Sequence, residues 1–205
     1  MTLWFFNIRN IEMIDPKIIF GRLGNSLFQY AALYKLAKDN NSDFYFQDPK
    51  WFEGCEDEIK KLFGDGIGYL PYVGVHLRVG GNPINPNEPN YIDNPYYVPL
   101  AKTGYYIDAI NLFPDRKFLV FSDDQDFAKS YFEGGKFAFD ESETDLDSFN
   151  KFASCDSHII ANSSWSWWGA WLSPSIGKKV IAPSIDKWYN DKVERTICPK
   201  EWLRI

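Results

Sequence analysis

The alternation running from Thr103 to Ala182 limits the folds open to this chain more than any other feature. Short apolar runs, rich in β-branched and aromatic residues, take turns with segments whose apolar residues recur at helical spacing. The pattern predicts helices over 103–112, 124–132, 145–153 and 166–172, and strands over 117–121, 136–139, 158–161 and 178–182. A strand that leads into a helix and returns as another strand runs parallel to the first. Parallel sheets need both faces covered, so the expectation is an α/β fold with helices on either side.

Upstream the same grammar starts earlier. The apolar run Lys17 to Phe20 meets Gly21-Arg22-Leu23-Gly24-Asn25, and then Leu27, Phe28, Ala31, Ala32, Leu33 and Leu36 fall at helical spacing. Asp39-Asn40-Asn41 is a stop, and Phe44 to Phe46 reads as a strand. This is a strand, glycine turn, helix, strand unit. A short helix is expected near Glu56 to Phe63 and a strand over Val73 to Leu77. Between Gly80 and Pro99 stand Pro83, Pro86, Pro89, Pro95 and Pro99, which forbid a long helix or an interior strand. That stretch is expected to be a long surface loop.

Composition narrows the possible roles. The 205 residues are 45% hydrophobic and 18% aromatic, enough for one large domain or two small ones pressed together. A net charge of -6 argues against a sequence-independent grip on DNA or RNA, though not against a local phosphate site. Cys55, Cys155 and Cys198 are too widely spread for a zinc motif and odd in number, so they read as reduced thiols. No run approaches the length of a membrane span. Arg9, Glu12 and Asp15 interrupt the apolar start and no small-residue cleavage site follows, so no signal peptide is expected.

Ligands of open parallel sheets gather outside the carboxyl ends of the strands. The residues expected there are polar. Val73-Gly74-Val75 leads into His76-Leu77-Arg78, Phe118 to Phe121 into Ser122-Asp123-Asp124, and Ile159-Ile160-Ala161 into Asn162-Ser163-Ser164-Trp165-Ser166. One basic end, one acidic end and one hydroxyl-rich helix start converge on one rim in this reading. Arg78 offers a planar fork of donors that fits phosphate oxygens. The helix start near Ser166 offers amide donors, hydroxyls and a positive dipole end. Asp123 or Asp124 can accept from the two donors on the edge of guanine. Gly21 and Gly24 allow close approach of backbone to a ligand.

Each feature has a plainer reading. An arginine after a strand is often an ion-pair partner on the surface. Asp124 suits a helix N-cap, and Ser163, Ser164 and Ser166 suit one equally well. Trp165, Trp167, Trp168 and Trp171 are equally compatible with a core. Gly21-Arg22-Leu23-Gly24 is not the Gly-x-Gly-x-x-Gly dinucleotide fingerprint.

Taken together, four segments resemble the α-1,2-fucosyltransferases of glycosyltransferase family 11. Gly21 to Ala31 resembles the family's G-x-L-G-N-x-x-F-Q-Y-A, and Val75-His76-Leu77-Arg78 resembles its H-x-R-R-G-D. Phe121-Ser122-Asp123-Asp124 matches F-S-D-D, and Ile160 to Leu172 resembles I-A-N-S-x-F-S-W-W-G-A-x-L. The segments come in the family's order, and the resemblance runs from about Lys17 to Trp188.

The resemblance implies a GT-B-like fold of two Rossmann-like halves, with a reduced acceptor-side half over 1–72 and a nucleotide-sugar half over 73–205. It implies GDP-fucose as donor, a glycan acceptor, inversion at the anomeric carbon, and no required metal or other cofactor. Arg78 takes the place of the catalytic arginine on the β-phosphate, and His76 that of a histidine at the guanosine end. Asp123 or Asp124 reads guanine, Ser163, Ser164, Ser166 and Trp167 hold the diphosphate, and Gly24, Asn25 and Asn162 complete the donor site. No nucleic-acid partner is expected. Secretory-pathway relatives usually carry an N-terminal anchor, so a bacterial-type or viral cytoplasmic protein is expected.

The chain departs from the family pattern at Val79, where a second arginine is usual, and at Gly81, where an acid is usual. His-Leu-Arg-Val-Gly is nearer to the form in protein O-fucosyltransferases. The span from Gly24 to His76 is short, and among Asp43, Asp48, Glu53 and Asp57 no single general base stands out. Three readings follow: a minimal α-1,2-fucosyltransferase acting on terminal galactose, a non-catalytic GDP- or glycan-binding remnant, and a transferase for a different nucleotide-sugar, which preferential binding of UDP or ADP would mark.

Overall fold

The computed structural model describes Leu27, Ala31 and residues 55–64, 66–80, 93, 97–188 and 198–205. The chain divides into two compact units, Met1–Leu62 and Phe63–Ile205. In the first, Leu27 and Ala31 are helical and buried, at the four-residue spacing that puts side chains on one helix face. The strands expected over 17–20 and 44–46 lie outside the described residues. Helix α1 spans Glu56–Phe63, with Glu56, Asp57 and Glu58 in its first turn and Lys60 and Lys61 in its last. Those charges complement the helix dipole at both ends.

The second unit is built on one sheet. Its strands are β1 (Leu70–Leu77), β2 (Phe118–Ser122), β3 (Phe137–Phe139), β4 (Cys155–Ile159), β5 (Val180–Ala182) and β6 (Leu203–Arg204). The helices between them are α2 (Tyr105–Asn111), α3 (Gln125–Tyr131), α4 (Asp145–Ala153) and α5 (Ser164–Leu172). The strand order is β3-β2-β1-β4-β5-β6 and every pairing is parallel. The chain therefore winds outward from β1 to β3, returns, and winds outward again from β4 to β6. This is the doubly wound, Rossmann-like arrangement, whose direction reverses between β1 and β4.

Two strands begin three residues earlier than expected, for identifiable reasons. β1 begins at Leu70 and runs through Pro71, with its register to β4 shifting between Leu70 and Val73. An irregularity there accommodates a residue with no N–H to donate. β4 begins at Cys155 and ends at Ile159, because the polar Asp156, Ser157 and His158 find partners inside the fold. Arg116 pairs with Asp156, the Ser157 hydroxyl accepts from Lys179 N–H at 3.3 Å, and His158 Nε2 donates to Phe152 O at 3.0 Å. β6 is two residues long, too short to show a period.

Alternate residues of β1 face opposite layers. Val73, Val75 and Leu77 pack with Tyr105, Tyr106, Ala109 and Ile110 of α2 and Ala128 of α3. On the other face, Gly74 and His76 meet α4. A Cβ at Gly74 would lie 3.1 Å from both the Phe152 ring and Cys155 Sγ. A Cβ at Gly169 of α5 would lie 2.5 Å from Phe152 Cδ1. Missing side chains at these two positions thus seat Phe152, which is wholly buried. Its ring stands edge-on to Phe121 at 5.2 Å and to His158 at 4.9 Å, and tilted against Trp165 at 5.1 Å.

His158 makes the fold acid-sensitive. Burial, with Lys178 adding to it, pushes its pKa down from 6.5 to about 3 despite the bond to Phe152 O. The folded state keeps it neutral, while the unfolded chain takes up a proton below 6.5. Stability therefore rises with pH between about 3 and 6.5, by up to about 1.4 kcal/mol per pH unit from this group. Urea midpoints should fall between pH 7 and pH 5 in the wild type, and His158→Gln should flatten that fall. An equal slope in the variant would assign the acid sensitivity elsewhere.

Candidate functional site

The strand order makes β2, β1 and β4 consecutive neighbours, so the three polar strand ends do lie side by side along one rim. Register sets their levels. Val75 pairs with Ile159, the last residue of β4, so the exits of β1 and β4 leave the sheet as neighbours. Leu77 pairs with Ser122, which brings Arg78 level with Asp123. The crevice between β1 and β4 is the topological switch point, where open α/β sheets hold ligands.

Arg78 leaves β1 on this rim and forms an ion pair through Nη1 with Asp123 Oδ2, the two side chains retaining 14% and 23% of their exposure. Asp123 Oδ1 accepts from Val79 N–H at 3.0 Å and from Gly80 N–H at 3.1 Å. Asp124 is the N-cap of α3 and accepts from Phe127 N–H at 2.9 Å. Ser163 is the N-cap of α5, and Ser163 and Ser164 are half-buried at the crevice. The amides of a first helical turn have no carbonyl partners within the helix, so they point along its axis toward the rim.

Other expected site residues are placed deeper. His76 is buried, its ring 4.8 Å from Trp165 and 6.3 Å from Phe152. Ser166 is wholly buried; its hydroxyl accepts from Ala161 N–H at 3.2 Å and donates to Ser163 O at 3.4 Å. Asn162 directs its amide nitrogen to Val98 O, Lys187 O and Trp188 O at 3.0, 3.1 and 3.1 Å, drawing two loops onto the end of β4. Trp167 is buried against Trp168, Trp171 and Trp202, and its N–H donates to Ser163 O within the helix. Gly24, Asn25 and most of the proline-rich stretch lie outside the described residues. Of the acids considered as bases, Asp57 is exposed on α1, and Asp43, Asp48 and Glu53 lie outside the described residues.

Two residues that brace the rim had no sequence signal beyond helical spacing. Tyr106 donates its hydroxyl to His76 O at 2.9 Å, and Tyr105 donates to Ile160 O at 2.7 Å with Ile181 O at 3.1 Å. Burial pushes both phenols well above their ordinary pKa, so they stay protonated donors. They tie the exits of β1, β4 and β5 to α2.

A cavity of about 480 Å³ opens instead at the amino-terminal edge of the sheet, lined among others by Tyr69, Arg116, Asp156 and Ile176. It contains none of the rim groups. Cys55, Cys155 and Cys198 are buried thiols, and burial raises Cys198 to about 12. Among the described residues no three or more His, Cys, Asp or Glu side chains gather as a metal site, and no helix is long and apolar enough to cross a membrane.

A doubly wound parallel sheet whose winding reverses between β1 and β4 defines a Rossmann-like α/β protein. Glycosyl transferase family 11 matches residues 13–205, and the chain belongs to that family. It is 28% identical to the alpha-1,2-colitosyltransferase of Escherichia coli, over 78% of this chain and 61% of that protein. It is 27% identical to the O-antigen biosynthesis glycosyltransferase WbnK of Escherichia coli, over 78% of this chain and 59% of that protein. The chain thus spans about three-fifths of the length of the curated relatives it matches. No solved structure matches it.

Proposed function

We propose that this chain binds GDP-fucose at the β1/β4 crevice and transfers fucose, with inversion, to a glycan hydroxyl, α-1,2 to galactose. The observation that carries this is the parallel pairing of β1 with β4, which sets the exit bearing Arg78 beside the exit that leads into α5 at the switch point. An arginine fork and a helix dipole there are matched to a diphosphate and leave the sugar outside the sheet.

In the proposed reaction an acceptor hydroxyl oxygen forms a bond to the anomeric carbon as the bond from that carbon to the β-phosphate oxygen breaks. The electron pair leaves on GDP, and the hydroxyl proton passes to a base on the acceptor side. Arg78 and the first turn of α5 neutralise the charge growing on the departing diphosphate. Asn162, Ser166, Tyr105 and Tyr106 act from below, holding the strand exits where those donors are needed. The setting proposed is the cytoplasm.

A closely related donor has its own support, since one relative is named a colitosyltransferase and colitose is the 3-deoxy counterpart of fucose. Calorimetric titration with GDP, without added metal, tests the site; transfer assays with GDP-fucose and GDP-colitose then test the sugar. Binding of GDP in preference to UDP and ADP, with turnover of GDP-fucose, is the expected result. Binding without turnover of either sugar would leave a GDP-binding protein, and no binding by the folded chain would end the donor reading.

A further inference from the structure

We propose that Asp123 is the positioning residue of Arg78, holding the guanidinium at the rim, and is not itself a reader of the nucleotide base. This rests on the reading that Arg78 engages the diphosphate.

The geometry points to it through one carboxylate that grips a single segment at three places. Asp123 Oδ1 takes the N–H groups of Val79 and Gly80, and Oδ2 takes the Arg78 guanidinium. The main chain just past β1 and the side chain of its last rim residue are thus pinned by one group, itself fixed on the neighbouring strand exit. The glycine at position 80 belongs to the same device. A Cβ there would lie 3.2 Å from Asp123 Cγ, Oδ2 and O, so a side chain at this position would crowd the carboxylate where it holds its amides.

Counting acceptors separates this role from base recognition. A carboxylate has two lone pairs on each oxygen. Both sites on Oδ1 are filled by amides and one on Oδ2 by the guanidinium. Reading guanine takes both oxygens side by side, one for the ring N–H and one for the exocyclic amine. Asp123 has one acceptor site left and cannot present that edge while it holds Arg78.

The gain lies in preorganisation. An arginine side chain loses considerable rotamer freedom when it closes on a phosphate, and less when it is already held. Asp123 brings a negative charge near the diphosphate, but that charge is turned onto the guanidinium and two amides, and the arginine keeps its own charge throughout.

The test uses the 205-residue chain and three nucleotide probes, two diphosphates and one monophosphate. Affinities for GDP, GMP and IDP are measured by calorimetry for wild type, Asp123→Asn, Arg78→Ala and the double variant. The GDP-to-GMP ratio reports recognition of the β-phosphate, and the GDP-to-IDP ratio reports the exocyclic amine of guanine. Asp123→Asn should reduce the GDP-to-GMP preference by roughly tenfold or more and leave GDP-to-IDP unchanged. It should add little further loss in the Arg78→Ala background. In the ligand-free protein, the Val79 and Gly80 amide proton resonances should move upfield in Asp123→Asn, whatever binds at the site.

A change in GDP-to-IDP, or an undiminished loss in the double variant, makes Asp123 an independent base reader and overturns the proposal. So do unmoved Val79 and Gly80 resonances. If Arg78→Ala lowers the GDP-to-GMP preference and Asp123→Asn does not, the positioning role fails while the donor site stands. If neither does, the donor reading itself fails.

Discussion

Arg78→Ala should lower kcat/KM for sugar transfer by about a thousandfold, on the order of 3–4 kcal/mol of transition-state stabilisation. Two effects add. In the proposed reaction the variant loses the cation beside the departing diphosphate, and it leaves the Asp123 carboxylate at the rim without its counter-charge. The second effect is particular to this geometry and makes the loss larger than for an isolated arginine. Arg78→Lys keeps the charge but replaces a planar fork with a point charge, so it should recover part of the activity and less of the nucleotide affinity. Steady-state kinetics with GDP-fucose would measure both, beside a melting temperature close to wild type as the control for folding. Near-normal turnover by Arg78→Ala would sink the catalytic assignment.

Phe152→Ala should have the largest effect on stability, about 4 kcal/mol, the usual range for emptying the site of a fully buried phenylalanine. Its surroundings resist collapse. The ring is wedged between Gly74 of β1 and Gly169 of α5, with His76, Phe121, His158 and Trp165 around its edge. A partial refill is available from one of those walls. Gly169→Ala alone should destabilise, because its new Cβ would stand 2.5 Å from Phe152 Cδ1. In the Phe152→Ala background the same methyl group would enter the cavity and cost little. Urea denaturation of the four proteins in that cycle would give a coupling of about 1–3 kcal/mol; strict additivity would mean that α4 and α5 do not meet at this ring.

Much of the framework could be read without coordinates. Glu56–Phe63 and Asp145–Ala153 have the bounds expected from the sequence. Other elements moved by one to three residues, because the expected edges were set by apolar runs, whereas strand ends are set by partners. His158 is an instance: its polar ring looked like the start of a strand, yet it sits wholly buried near the end of one. The terminal strand Leu203–Arg204 gave no signal at all, since two residues joined to Ile181 and Ala182 have no period to detect.

The site was legible as a set of strand exits and less so as a set of contacts. Basic, acidic and hydroxyl-rich ends were visible as sequence, and their adjacency followed once β2, β1 and β4 proved to be neighbours. Which way each side chain turns was not visible. Asn162 gathers loops from Val98 and from Lys187 and Trp188, and Ser166 braces Ala161. Both looked from sequence like ligand donors, because a buried polar side chain and one on the rim are written with the same letter.

By itself the sequence determined the class of fold, the parallel sense of the sheet, the strand exits that carry polar groups, and the family. These depend on periodicity and on ordered local motifs, which a chain displays along its length. Only the tertiary structure decided that Arg78 is held by Asp123, that Gly80 makes room for that carboxylate, that His76 lies beneath the rim, and that Phe152 joins two helices to the sheet. Each of those depends on which strands and helices become neighbours. Hydrogen bonding and close packing act between groups distant in sequence, and no local pattern encodes the partner.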